Sequence, residues 1–218
     1  MFFHKEVLTI SYKHRFEIKK FFKHVLGLYS IDHFSLDLVS PEGEMIFFSG
    51  TPSHGYEICS RGFGEYDGAI SPDYFKAYEF YWWKDVVHRR YHDEINYIRD
   101  IKHQFKHGFM LVRHWNDFYM IYSFATKSHQ GEFPSVIINQ LNHLFRLGDD
   151  MYNEMRDIYA DYTGRYYPPK IMQFYPFQGG APVARYDNQY QLSKGGVLFK
   201  QPSSIIRTGS LQLVVNNK

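Results

Sequence analysis

Four histidines stand in two pairs, His88 with His92 and His103 with His107, each four residues apart. On a helix that spacing puts both imidazoles on one face, where they could share a metal ion. A zinc protease would need glutamate directly after the first histidine, and Arg89 stands there. Arg89 and Arg90 also raise the cost of seating a dication, so the pairs read as one polar face of a solvated helix. Cys59, five residues after His54, could serve as a thiolate nucleophile. Its place beside Ile58 in a helix-like stretch favours a buried, inert thiol instead. The chain has no Gly-x-Ser-x-Gly elbow, phosphate loop or dinucleotide fingerprint, and the glycines at 62, 64 and 68 follow no strand. No paired carboxylates stand out. The expectation is no catalytic residue, no metal and no cofactor.

The more informative group surrounds Asp67, between Tyr66 and the run Tyr81-Trp82-Trp83. A carboxylate there could accept a hydrogen bond from the amide N–H of a buried ligand, with a ring stacked above to fix its head group. Asp67 also precedes Gly68, where a simple turn role is common. Local features leave both readings open.

Several elements must position these residues. An amphipathic helix is expected over 13–29, with Ile18, Phe21, Phe22, Val25 and Leu26 on one side. Phe34, Leu36 and Leu38 alternate with Ser35, Asp37 and Val39, turn through Pro41-Glu42-Gly43-Glu44, and return over Met45 to Phe48 as a hairpin. A helix over about 53–61 follows. The segment 62–85 reads as loop, with Ser71-Pro72 as a helix start. Ile95, Ile98, Ile101 and Phe105 keep helical spacing from Tyr91, ended by Gly108. A second hairpin, 109–114 with 118–125, turns across Trp115-Asn116-Asp117, and a long helix runs from about Pro134. This order predicts an α+β fold: a central antiparallel sheet flanked by helices in an α/β/α sandwich, like GAF and PAS sensor domains. Two parts are expected, a domain over 1–164 and a Gly/Pro-punctuated, β-prone extension over 165–218.

Composition bounds the function. The 218 residues are 44% apolar and 22% charged, as in a globular fold, while 19 Tyr, 20 Phe and 3 Trp exceed what a core requires. Such a surplus can line a cavity, form an interface or simply pack. Net charge is +2, which implies no polyanionic partner. A single cysteine precludes an internal disulfide and fits a reducing compartment. The amino-terminal residues carry no secretory pattern and no window is apolar enough for a membrane span. A soluble, cytoplasmic protein is expected.

Three stretches resemble the autoinducer-binding domain of LuxR-type quorum-sensing regulators. They are the opening helix to Ile31-Asp32-His33-Phe34 and the hairpin, then Tyr56 through Asp67 to Phe80-Tyr81-Trp82-Trp83-Lys84-Asp85. The third runs from Gly108-Phe109-Met110-Leu111-Val112 through Tyr122-Ser123-Phe124-Ala125-Thr126 to the last helix. Together they cover roughly residues 8–162. The resemblance implies that Asp67, beside Tyr66, holds a ligand amide and Trp83 (or Trp82) a ring carbonyl. Tyr56 would line the acyl side and Ser123 the sheet floor. Gly68 stands where the family has proline, and Tyr56 where tryptophan is expected. These departures weigh against an acyl-homoserine lactone and leave a different small amphiphile for the same cavity. Residues 165–218 lack the family's helix-turn-helix, so no direct DNA binding is expected.

The sequence therefore implies a non-enzymatic, small-molecule-sensing regulatory domain, signalling through a homodimer or a protein partner. The alternative is an interaction module, such as a bacterial effector translocated into a host cell, whose pocket is filled by aromatic rings.

Overall fold

The computed structural model describes residues 1–164, 167–177, 190–192 and 198–200. In chain order the elements begin with strand β1 (Phe2–Phe3), helices α1 (Val7–Lys13) and α2 (Arg15–Phe22), and strands β2 (His33–Val39) and β3 (Glu44–Ser49). Helices α3 (Pro52–Ser60) and α4 (Pro72–Phe75), strand β4 (Phe80–Trp82) and helix α5 (His92–Asn96) follow. Strands β5 (His107–Trp115) and β6 (Phe118–Thr126), helices α6 (Phe133–Asn139) and α7 (Leu141–Thr163), and strands β7 (Tyr190–Leu192) and β8 (Leu198–Lys200) complete the described elements.

Six strands form one sheet in the order β1-β3-β2-β6-β5-β4. It is antiparallel except at one edge, where β1 pairs parallel with β3. The hairpin turn between β5 and β6 places Asn116 at φ 47° and Asp117 at φ 66°. Two consecutive left-handed residues match the right-handed twist of the strands they join. Asn and Asp tolerate that backbone better than most residues.

The expected helices shift in detail. The helix expected over 13–29 is shorter: α2 covers only Arg15–Phe22, follows α1 across a kink at His14, and Gly27 lies at φ +92°, which cannot continue a helix. The long last helix breaks at Gln140, whose φ of −112° separates α6 from α7. The stretch from Tyr91 starts as α5 but widens to a π-helix over Tyr97–Lys102. Gly108 does not end it; that glycine lies inside β5, where a Cβ would meet the Trp83 ring at 2.1 Å. The loop-rich segment hides β4, which pairs Phe80, Tyr81 and Trp82 with Leu111, Met110 and Phe109. Ser71 caps α4 as expected, its hydroxyl accepting from the Asp73 N–H at 3.3 Å.

Helices cover both sheet faces. On one, Phe34, Leu36, Leu38, Met120, Tyr122 and Phe124 pack against Ile18 and Phe22 of α2 and against Leu144, Phe145, Met151 and Met155 of α7. Gly148 lets α7 approach: a Cβ there would lie 2.2 Å from the Tyr122 ring. Tyr122 donates to Asp149 at 2.8 Å, and Arg113 grips the same carboxylate through two bonds of 3.1 and 3.0 Å. The other face is covered by α3, α4 and the turns around them.

Residues 167–177 lie along α7. Asn153 donates to the Ile171 carbonyl and accepts from its N–H, at 2.9 and 3.0 Å, and Asn142 accepts from the Phe177 N–H at 2.8 Å. Of the β-prone extension, β7 and β8 form an antiparallel ribbon. Residues 165–166, 178–189, 193–197 and 201–218 of that extension lie outside the described residues. No described helix is long and apolar enough to cross a membrane.

Candidate functional site

Side chains alternate across a strand, so Ser35 and Asp37 of β2 point away from the Phe34/Leu36/Leu38 face. Such a pattern ordinarily marks a solvent-facing surface. Here the polar side is covered: Ser35, Asp37, Ser49 and Ser123 are all buried. Register sets them side by side. Ser35 lies opposite Ser49 on β3 and Ser123 on β6, and Ser123 lies opposite Met110 on β5. Three serines thus cross three adjacent strands, with Asp37 one step along.

Over this floor sits a cavity of about 60 Å³. Ile58, Cys59, His54 and Gly55 of α3 border it, as do Phe3, Met45 and Phe47 from the β1/β3 edge, and Asp67, Ile70, Trp83 and Arg99. Phe47 is seated under Gly55, where a Cβ would come within 2.7 Å of its ring.

Asp67 and Trp83 are 4% and 8% exposed, and Arg99 connects them. Its Nη2 donates to Asp67 Oδ2 at 2.5 Å, and its guanidinium lies 4.4 Å from the centre of the Trp83 ring. The π-helical widening carries Arg99, a distortion often found where a side chain must be re-aimed at a site. The other Asp67 oxygen accepts from the Ala69 N–H at 2.9 Å, so Asp67 is a turn cap and an ion-pair partner at once. His88 lies 3.5 Å from that oxygen and accepts the Gly68 N–H at 3.0 Å on Nδ1. Burial lowers His88 to about 4 despite the neighbouring carboxylate.

Several polar groups here make no hydrogen bond with another described residue. Among buried atoms these are Trp83 Nε1, Arg99 Nε and His54 Nε2. Leaving a buried polar atom unpaired costs about 1–3 kcal/mol. Asp37 also makes no hydrogen bond or ion pair among the described residues. Burial, reinforced by the Asp67 charge, pushes it up to about 8, so it is largely protonated near neutrality and can both donate and accept. His33 stands beside this group, sharing a 3.0 Å bond with Thr51. Burial lowers it to about 3 and holds His54, stacked on Trp83, well below its ordinary range. Burial raises the Cys59 thiol to about 12, which keeps it protonated and unreactive.

Of the residues singled out from sequence, the structure brings Asp67, Trp83 and Ser123 to one cavity. The other three lie elsewhere. Trp82, one residue before Trp83, faces the opposite side of the sheet against Phe80 and Phe109. Tyr56 is 58% exposed on the outer side of α3, and Tyr66 is half-buried against Tyr91. The histidine pairs do not form helical pairs: His88 precedes α5 and His107 begins β5. Among the described residues no group of three His, Cys, Asp or Glu could hold a metal ion. Sequence reasoning missed Asp37 and Arg99. Asp37 had a signal, a carboxylate in a strand between two hairpin partners; Arg99 looked like any charged residue on a helix surface.

No protein-family model and no curated protein matches the chain. Among solved structures it is similar to SdiA of Escherichia coli, with a TM-score of 0.46 and 14% identity over 70% of this chain. It is likewise similar to SdiA in complex with octanoyl-rac-glycerol, with a TM-score of 0.46 and 13% identity over 66% of this chain. In both cases the match spans 63% of the SdiA chain. SdiA is a LuxR-type quorum-sensing receptor, the family that the sequence resembles, and the likeness is one of fold alone.

Proposed function

We propose that this chain is a small-molecule-sensing domain that binds a compact amphiphile between the polar sheet face and α3. The observation that carries this reading is the meeting of Ser35, Asp37 and Ser123 in one cavity with Trp83 and Arg99, whose buried Nε1 and Nε make no hydrogen bond among the described residues. Buried polar groups in a folded protein nearly always find a partner, and a ligand supplies one. The cavity suits an amphiphile because its floor is polar while Phe3, Met45, Phe47 and Ile58 border it. At about 15 Å³ for each water-sized group, 60 Å³ admits roughly four such groups, which suits a head group better than a long acyl chain. Ser123 serves as floor, Asp37 as donor and acceptor, and Trp83 with Arg99 as the wall that offers N–H groups to a carbonyl. Asp67 positions Arg99 and keeps lone pairs for a ligand N–H.

Binding rather than catalysis fits these groups, since Cys59 is held as a thiol and the histidines as neutral bases. A transcriptional or partner-mediated output, and a homodimer, belong to the same proposal. The experiment is a thermal-shift and tryptophan-fluorescence screen of small lactones, hydroxy acids, polyols and monoacylglycerols, octanoyl-rac-glycerol included. Compact members should raise the melting temperature, a hundredfold excess over Kd being worth about 2.7 kcal/mol. Absence of any saturable response across the set would contradict the reading.

One observation favours a second reading as an interaction module: Tyr12, Phe16 and Tyr56 are 68%, 71% and 58% exposed. Pull-down by the folded chain that withstands saturation of the cavity would support it.

A further inference from the structure

A second and larger cavity, of about 290 Å³, lies on the far side of the Trp83–Arg99 wall. It is enclosed by the turn after β4, by α5 with the π-helix, and by the start of β5. Its lining is basic. Lys84 and Lys106 border it as exposed cations, with the imidazoles of His88, His92 and His107. Asp100 is the only acidic residue in the lining, and its backbone carbonyl accepts from Lys106 Nζ at 3.4 Å. Lys84 makes no hydrogen bond or ion pair with another described residue. The buried Arg99 Nε and Trp83 Nε1, without hydrogen-bond partners among the described residues, belong to the wall that this cavity shares with the first.

We propose that this cavity binds a small phosphorylated molecule, its dianionic group held between Lys84 and Lys106. Two cations and several ring N–H groups around one space suit a doubly charged group with many acceptor oxygens better than a neutral ligand. A metal ion is disfavoured by the same lining. A nucleic acid is disfavoured by a net charge of only +2 over the whole chain. The space exceeds one phosphate, so an organic body fits beside the Trp83 indole.

The test is titration of the full chain, at constant ionic strength, with inorganic phosphate, glycerol phosphate and glycerol, read by the indole ¹⁵N–¹H signals. Saturable shifts of the Trp83 signal are expected with both phosphates, and in Asp37→Leu, where the first cavity has lost its polar floor, none with glycerol. The double variant Lys84→Gln/Lys106→Gln should bind phosphate at least about tenfold more weakly at an unchanged melting temperature, since both side chains are exposed. With both phosphates Asp37→Leu should titrate like the natural chain, which separates this site from the cavity over the serines. A matching response to sodium chloride alone, or an unaltered phosphate affinity in the double variant, overturns the proposal.

Discussion

The two faces of the sheet are built from alternate residues of the same strands, yet they differ in kind. The face toward α7 is dry: Phe34, Leu36, Tyr122 and Phe124 fill it, Gly148 is shaved to fit the Tyr122 ring, and Asp149 is gripped by Arg113 and Tyr122. The face toward α3 is equally buried but carries Ser35, Asp37 and Ser123 without bonds to other described residues. The first arrangement holds the fold together. The second costs stability, and a protein retains such a feature where it meets a ligand.

Neighbours on β2 give the sharpest way to break this comparison. Leu36→Ala, on the dry face, should cost about 2–5 kcal/mol, because a close-packed core cannot collapse into the space left behind. Denaturant unfolding measures it; a cost under about 1 kcal/mol would show that face to be loosely packed. One residue on, Asp37→Leu should do the reverse and raise stability by about 1–3 kcal/mol, since it removes a buried carboxyl that no described side chain satisfies. The same variant should lose any response to compounds that stabilise the natural chain. Destabilisation by Asp37→Leu would mean that the carboxyl holds the fold.

The pH dependence sharpens the comparison further. His33 and His88 titrate at about 3 and 4 in the folded chain against 6.5 in the unfolded one, and His54 is shifted the same way. The unfolded state therefore binds more protons below pH 6.5, and stability falls as pH drops from there. Asp37 acts oppositely, at about 8 folded against 3.8 unfolded. The folded state holds its extra proton between those values, so stability also falls as pH rises from 6.5 to 8, by about 1.4 kcal/mol per unit. A maximum near pH 6.5 is expected, and Asp37→Asn should flatten the alkaline limb while leaving the acid limb in place. Chemical denaturation at a series of pH values checks both limbs.

Much of this fold was legible in sequence. Both hairpins read correctly because Pro41–Glu44 interrupts an alternating pattern and Trp115–Asp117 separates two mainly apolar runs, and the α+β arrangement followed. What failed did so for local reasons. The end of α2 at Phe22 and the break at Gln140 lie within continuous apolar stripes, and β4 is only three residues long in an aromatic run that suits loop or strand. At the site, Asp67, Trp83 and Ser123 were found through the family resemblance. Trp82 was offered as an alternative to Trp83, but Trp82 ends β4 on the α7 side of the sheet while Trp83 opens the turn after it and packs on the other side. Asp37 was seen as the polar side of a strand; that α3 covers it depends on tertiary packing that periodicity does not encode.

The most direct measurement is the titration of the Asp37 side-chain carboxyl by carbon-detected NMR. An enclosed polar face predicts a midpoint near 8. A midpoint near the ordinary 3.8 would place Asp37 in contact with bulk water and contradict the enclosed site on which the account rests.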